Sequence, residues 1–256
     1  MCGRYASTRS AADLATLFDA VDETDDALTP DYNVAPTDPV AIVRHTARTT
    51  SRILSVARWG LVPAWSRDRS GAARMINARA ETVATSRAFG RPFAERRCLV
   101  PADGWYEWLG RGNATVRGAR GGAGRGAGGG AKQPYFMTRR DGDLLAFAGV
   151  WTTWGAGDGR LLTFSVLTLP AAGDLALVHD RMPLVLEPGR WEQWLTAPDA
   201  TGLLTAPSPQ YAAGIELRPV GSAVGDVRND GSELVRAVPA PPLVQSTVES
   251  EAPTLF

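Results

Sequence analysis

A cysteine directly follows the initiator methionine in "MCGRYAS". Methionine is normally removed when the second residue is small. The mature chain is therefore expected to start with an amine and a thiol on one residue, Cys2. An α-amino group has a pKa near 8, against roughly 10.4 for lysine, so at pH 7.4 about a fifth of it is neutral. A neutral amine attacks an aldehyde to give a Schiff base. The adjacent thiol can then close on the imine as a thiazolidine ring, which requires both groups on one residue. The same residue also suits an N-terminal nucleophile that hydrolyses amides, and a cysteine at position 2 can arise by chance. Cys2 alone does not separate these readings.

Other reactive residues are few. His45 lies in the polar stretch "VRHTART" and reads as solvated surface. His179, in "LVHDRMPLVL", lies between an apolar turn and an apolar strand, where it is either a proton shuttle or a structural histidine held by Asp180 or backbone. Glu107 lies in "GWYEW" just after a turn; aromatic neighbours would desolvate it and raise its pKa towards the range useful for acid–base work. "INARAET" supplies Asn77, Arg79 and Glu81, and Arg87 follows in "TSRAF". Asn77 can hold a sugar or carbonyl oxygen, and Arg79 and Arg87 can grip successive phosphates from one helix face. A helix cap with surface arginines is the plainer alternative. Two separated histidines and two cysteines, Cys2 and Cys98, give no metal-ligand spacing, so no metal site is expected.

The elements that must position these residues read as short strands with a few helices. Ser10 caps a helix over 11–20, with Leu14, Leu17 and Phe18 at helical spacing. Strands are expected near Val40–Arg44, through "SRILSVARWGLVPAW" up to Pro63, and as strand–turn–strand in "RRCLVPADGWYEWL". "PYFMTRR" and "LLAFAGVWTTW" read as a hairpin around Asp141–Gly142. "RMINARAETVATSRAF" reads as a short strand running into a helix from about Ala80. "RLLTFSVLTLP" is a strand, "AGDLALVHDRMPLVL" a short helix or turn followed by a strand, and "GRWEQWL" a short helix. "IELRPV" and "ELVRAV" finish the fold. The class is α+β: a single domain around a mostly antiparallel, barrel-like β-sheet core with a few flanking helices. It spans 1–238. A Gly-rich loop at about 110–132 is inserted in it, and a disordered tail covers 239–256.

Composition sets limits. The 256 residues are 44% hydrophobic, enough for a real core. Acidic and basic residues balance at 27 each, so no global basic field marks a nucleic-acid binder, but Lys132 is the single lysine and arginine carries the rest. The start lacks a signal-peptide h-region and no run reaches transmembrane length, which reads as a cytoplasmic protein.

Seven blocks, "MCGRY", "YNVAPT", "RWGLVPAW", "INARAET", "CLVPADGWYEW", "HDRMPLVL" and "VGDVRNDG", run in order from residue 1 to about 231. Together they resemble the SOS-response-associated peptidase (SRAP) domain family of abasic-site processing proteins. The resemblance implies a sensor that binds single-stranded DNA and links Cys2 to the aldehyde of an abasic site as a stable thiazolidine crosslink. It implies catalytic roles for Cys2, Asn77, Glu107 and His179. It also implies DNA contacts from Arg4, Pro36, Trp65, Arg79, Arg87 and Thr168. Lyase-type Schiff-base chemistry without cofactor or metal is expected, from a monomer that associates with the nucleoid during DNA damage. Abasic single-stranded DNA and replication-fork proteins would be its partners. The alternatives are an N-terminal-nucleophile cysteine peptidase and a non-catalytic single-stranded DNA-binding module. "PAWSRD" has one Trp where relatives carry two, and the Gly-rich insert lengthens the loop after "GWYEWL".

Overall fold

In the computed structural model, which describes residues 2–45, 51–109, 132–240 and 243, apolar alternation resolves into short strands. The chain runs β1 (Tyr5–Ser7), α1 (Ala11–Phe18), β2 (Ala20–Glu23), β3 (Asp31–Val34), β4 (Pro39–His45), β5 (Arg52–Trp59) and β6 (Asn77–Arg79). It continues with α2 (Gly90–Glu95), β7 (Arg97–Ala102), β8 (Gly104–Trp108), β9 (Pro134–Arg139), β10 (Leu145–Trp154) and β11 (Leu161–Pro170). The last elements are β12 (Arg181–Pro183), α3 (Trp191–Thr196), α4 (Pro209–Ala213) and β13 (Ile215–Pro219).

Five strands close into a barrel. β4 pairs antiparallel with β5 and β7, β10 pairs antiparallel with β7 and β11, and a short parallel contact between β11 and β5 completes the ring. β11 is longer than the ring needs. Val166 pairs with Gly149 of β10 on one edge and Asn77 of β6 on the other. Two residues on, Thr168 pairs with Arg79 of β6 and Pro183 of β12. The overhang of β11 thus holds β6 and β12 on its two edges, and these carry Asn77 and the chain just after His179.

A second antiparallel sheet has the order β13-β9-β8-β1-β3. Successive residues point to opposite faces. Tyr5, Trp105 and Met137 join the main core, whereas Ala6, Tyr106 and Phe136 form a second cluster with Val220, Val224 and Leu234. Edge-on aromatic contacts weld the sheet to the barrel: Tyr5 to Trp59 at 5.0 Å, and Trp105 to Phe147 at 6.0 Å. Such pairs add about 0.5–1.5 kcal/mol each beyond simple burial.

The α+β class and the barrel agree with the sequence reading, but several local expectations do not. The helix after Ser10 stops at Phe18, because Asp19 is left-handed (φ 47) and closes it; β2 follows at once. Ser10 does cap, its hydroxyl accepting from Asp13 N–H at 3.1 Å. β5 ends at Trp59 rather than Pro63, since Gly60 turns with φ 119 against the Ala72 carbonyl. β9 and β10 are not a hairpin. The turn at Gly142 exists, but β9 pairs with β8 and β13 while β10 pairs with β7 and β11. No helix starts near Ala80; residues 80–85 form turns and α2 begins at Gly90. β-branched Thr82, Val83 and Thr85 favour that outcome. The expected Gly-rich loop, apart from Lys132, and most of the expected tail lie outside the described residues. Among the described residues no helix is long and apolar enough to cross a membrane.

Candidate active site around Cys2

Strand pairing seats the N-terminal segment. Tyr5 pairs with Trp105 and Ala6 with Gly104, and Tyr106 N–H donates to the Arg4 carbonyl at 2.9 Å. Cys2 is wholly buried. Its carbonyl accepts from Asn77 Nδ2 at 2.7 Å, so the first residue of β6 holds the start of the chain. Asn77 Oδ1 is buried and has no hydrogen-bond partner among the described residues.

Arg4 anchors the same segment from the other side. Its Nη1 donates to Asn33 Oδ1 at 2.7 Å and to the Val224 carbonyl at 3.0 Å. Asn33 Nδ2 in turn donates to the carbonyls of Asp226 and Asn229. The blocks "YNVAPT" and "VGDVRNDG" therefore act together as a socket for Arg4. Sequence reasoning missed Asn33 here; its place inside an ordered block is the signal that could have found it.

Burial sets the protonation of the site. Glu107 is 3% exposed. Burial pushes its carboxyl up to about 7, the amino-terminal charge pulls the other way, and Asp180 adds to the rise. The Cys2 thiol is pushed well above its ordinary range by burial and then by Glu107, with the amino-terminal charge opposing both. The thiol is thus protonated at neutral pH. His179 is half-buried, and burial followed by the amino-terminal charge depresses its pKa against the pull of Asp180. Its Nδ1 accepts from Arg181 N–H at 2.9 Å, which leaves the proton of the neutral ring on Nε2. Asp180 Oδ1 also lies 2.9 Å from Nδ1, and this contact turns attractive only when the ring is charged. With Met1 present the terminal amine lies one residue beyond Cys2, and removal of Met1 transfers it to Cys2.

The other expected contact residues divide into two kinds. Thr168 is buried, and its carbonyl and hydroxyl accept from Arg181 Nη2 at 2.6 and 3.2 Å. Arg79 and Arg87 are exposed but share no helix: one ends β6, the other sits in the turns before α2. Trp65 is 60% exposed, and the Arg87 guanidinium stacks 4.8 Å from its ring. Pro36 is half-buried in the turn between β3 and β4, whose Thr37 N–H donates to the Trp59 carbonyl at 2.8 Å. Trp59 Nε1 donates to the Ile76 carbonyl at 2.9 Å, so Trp59 links the Pro36 turn to the residue before Asn77. Among the described residues no cluster of His, Cys, Asp and Glu could hold a metal ion.

Comparison with known proteins gives one family. Residues 1–227 match the family model described as SOS response associated peptidase (SRAP). The abasic site processing protein YoaM of Bacillus subtilis is 32% identical over 244 residues, covering 93% of this chain and 98% of that protein. YedK of Escherichia coli, likewise named an abasic site processing protein, is 31% identical over 249 residues, covering 93% and 100%. A Bacteroides thetaiotaomicron crystal structure superposes with a TM-score of 0.71 at 21% identity, covering 93% of this chain and 100% of that one, and so shares the fold. The chain belongs to the SOS response associated peptidase (SRAP) family.

Proposed function

We propose that this protein processes abasic sites by capturing them covalently in single-stranded DNA. The supporting observation is the placing of Cys2: buried, held through its carbonyl by Asn77, and electrostatically coupled to a carboxyl poised near pH 7. Its relatives' names as abasic site processing proteins support the same reading.

After loss of Met1, the neutral Cys2 amine adds to the ring-opened C1 aldehyde to give a carbinolamine. Protonated Glu107 gives a proton to the departing hydroxyl, water leaves, and an N-protonated imine (iminium) forms. Glu107, now ionised, takes the thiol proton; sulfur adds to the iminium carbon, the C=N electron pair returns to nitrogen, which keeps its one hydrogen, and the thiazolidine closes. The net change is amine, thiol and aldehyde to ring plus one water. A carboxyl near pH 7 suits both directions of transfer. Neutral His179 serves as a second proton acceptor for imine formation and reversal. Asn77 Nδ2 orients Cys2 and its Oδ1 accepts from a hydroxyl of the opened sugar. Arg79, Arg87, Trp65 and Pro36 hold the flanking strand, and Arg4 steadies the N-terminal segment.

The protonated thiol favours this reading over proteolysis. A peptidase nucleophile works as a thiolate, which burial and Glu107 both oppose here. In the capture reaction the amine attacks first and the thiol is needed only after the carboxyl has ionised.

Incubation with abasic single-stranded DNA is expected to give a heat-stable adduct on a denaturing gel, with the DNA mass on the Cys2 peptide and Met1 absent. Cys2→Ala should abolish it. A Cys2→Ala protein that forms the adduct as well as wild type would falsify the mechanism, and a wild type that binds without crosslinking would leave only the binding module.

A further inference from the structure

His179 sits just before a three-residue strand, and burial alone does not fix the orientation of its ring. The Arg181 N–H, bonded to Nδ1, is one of the groups that orient the ring. That N–H can hold the ring only if the Arg181 backbone is itself fixed. The Arg181 side chain reaches from β12 across β11, where it donates to both oxygens of Thr168, and on to Glu81 just past β6. It meets Glu81 through two nitrogens, Nη1 on Oε1 and Nη2 on Oε2, the latter at 3.0 Å. Thr168 also accepts Ala80 N–H at 2.8 Å, so one residue anchors both flanking strands. Such two-pronged, charge-assisted bonding is geometrically specific in a way a single exposed ion pair is not.

We propose that Arg181 is a positioning residue: clasped by Glu81 and Thr168, it locks the β12 backbone so that the His179 ring is held in register with Asn77 across β11. Nothing in the sequence marks this role, because Glu81 and Arg181 stand a hundred residues apart. The role in catalysis rests on the proposed function, whereas the clasp itself can be tested without DNA.

Glu81 is the clean probe. It is exposed, so Glu81→Gln should fold, and it removes no cation that a phosphate could use. With only two histidines in the chain, imidazole signals can be followed by NMR as pH is varied, and a His45→Gln control assigns them. The groups acting on His179 include the amino-terminal charge, Lys132, Asp180 and the Arg181 backbone, and Asp180 acts in turn on Glu107. Loss of the Glu81 charge by simple Coulomb action, or release of the Arg181 cation, would make His179 harder to protonate. Opening of the clasp would let the ring hydrate and raise its pKa towards the ordinary histidine value of about 6.5. An upward shift in Glu81→Gln and in Arg181→Lys, which keeps the charge but loses the fork, supports the clasp. A titration unchanged or shifted downward in Glu81→Gln overturns it. With abasic DNA, Glu81→Gln should slow crosslinking about tenfold or more with affinity no weaker than wild type, since misplacement of a catalytic group by about 1 Å is this costly. Undiminished crosslinking by Glu81→Gln likewise overturns the positioning role. If wild type fails to crosslink, the functional reading falls, and the histidine titration still decides whether the clasp exists.

Discussion

At the scale of the residue, Glu107 joins stability to chemistry. Its folded pKa of about 7 lies above the unfolded carboxylate value near 4.3. Below about pH 4 the carboxyl is protonated in both states and its burial is at its least costly. As pH rises from about 4 to 7 the unfolded chain ionises first, so stability falls, and above 7 a fixed penalty of about 4 kcal/mol remains. Glu107→Gln is therefore expected to match wild type in urea unfolding at pH 4 and to exceed it by about 3–4 kcal/mol at pH 8. The same variant should crosslink about a hundredfold more slowly, the ordinary worth of a general acid–base group. Equal stability of the two proteins at pH 8 would contradict the assigned burial. Glu107, His179, Cys2 and Asn77 can be picked out of the sequence as candidates because their types are scarce or sit in apolar company. Arg4 enters the candidate site through the family resemblance as a DNA contact, and its bonds to Asn33 and Val224 are not legible in advance, since both partners come from distant segments. Arg181 is harder still: its reach across two strands depends on pairings that no local pattern encodes.

At the scale of the element, β11 organises the site, and its overhang explains which parts of the fold can be read in advance. Strand existence is legible in β4, β5, β7, β8, β10 and β11 because each carries a short apolar run, in all but β7 rich in β-branched or aromatic residues. Pairing is not. The Asp141–Gly142 turn looks like a hairpin loop, yet it connects the two sheets, because Trp105 and Met137 must face the barrel while Phe147 fills it. The barrel seam is also tight. A methyl added at Gly149 would lie 2.8 Å from Cys98 Sγ, 3.0 Å from Val100 Cγ2 and 3.3 Å from the Ser165 carbonyl. Gly149→Ala should therefore cost about 1–3 kcal/mol as overpacking. Cys98→Ala removes the nearest of these atoms, so the double variant should be more stable than the sum of the single costs predicts. Strict additivity in a urea double-mutant cycle would show that the clash is relieved elsewhere. This steric part is also the account of Cys98: it is buried, its thiol is pushed up by burial, and it packs against a glycine that leaves it room.

At the scale of the whole molecule, the formal charge is zero, so attraction to DNA must come from a local surface rather than a long-range field. Between β5 and α2 the chain exposes Arg67, Arg69, Arg74, Arg79 and Arg87 together with Trp65, the most exposed large hydrophobic residue among the described residues. Arg87 already stacks on Trp65, which makes a face for a base flanked by groups for phosphates. If about four of these arginines meet phosphates, single-strand affinity should fall roughly fiftyfold between 50 and 200 mM salt, with a log–log slope near −3. The two partners of the stack should then fail differently. Trp65→Ala should weaken binding about tenfold or more through lost stacking while leaving the slope unchanged. Arg87→Ala should flatten the slope by about 0.7, one contact's worth. Fluorescence anisotropy across a salt series separates the two. A wild-type slope near zero would remove this surface from the DNA interface, and a Trp65→Ala slope as flat as that of Arg87→Ala would mean that the ring serves only to prop the arginine.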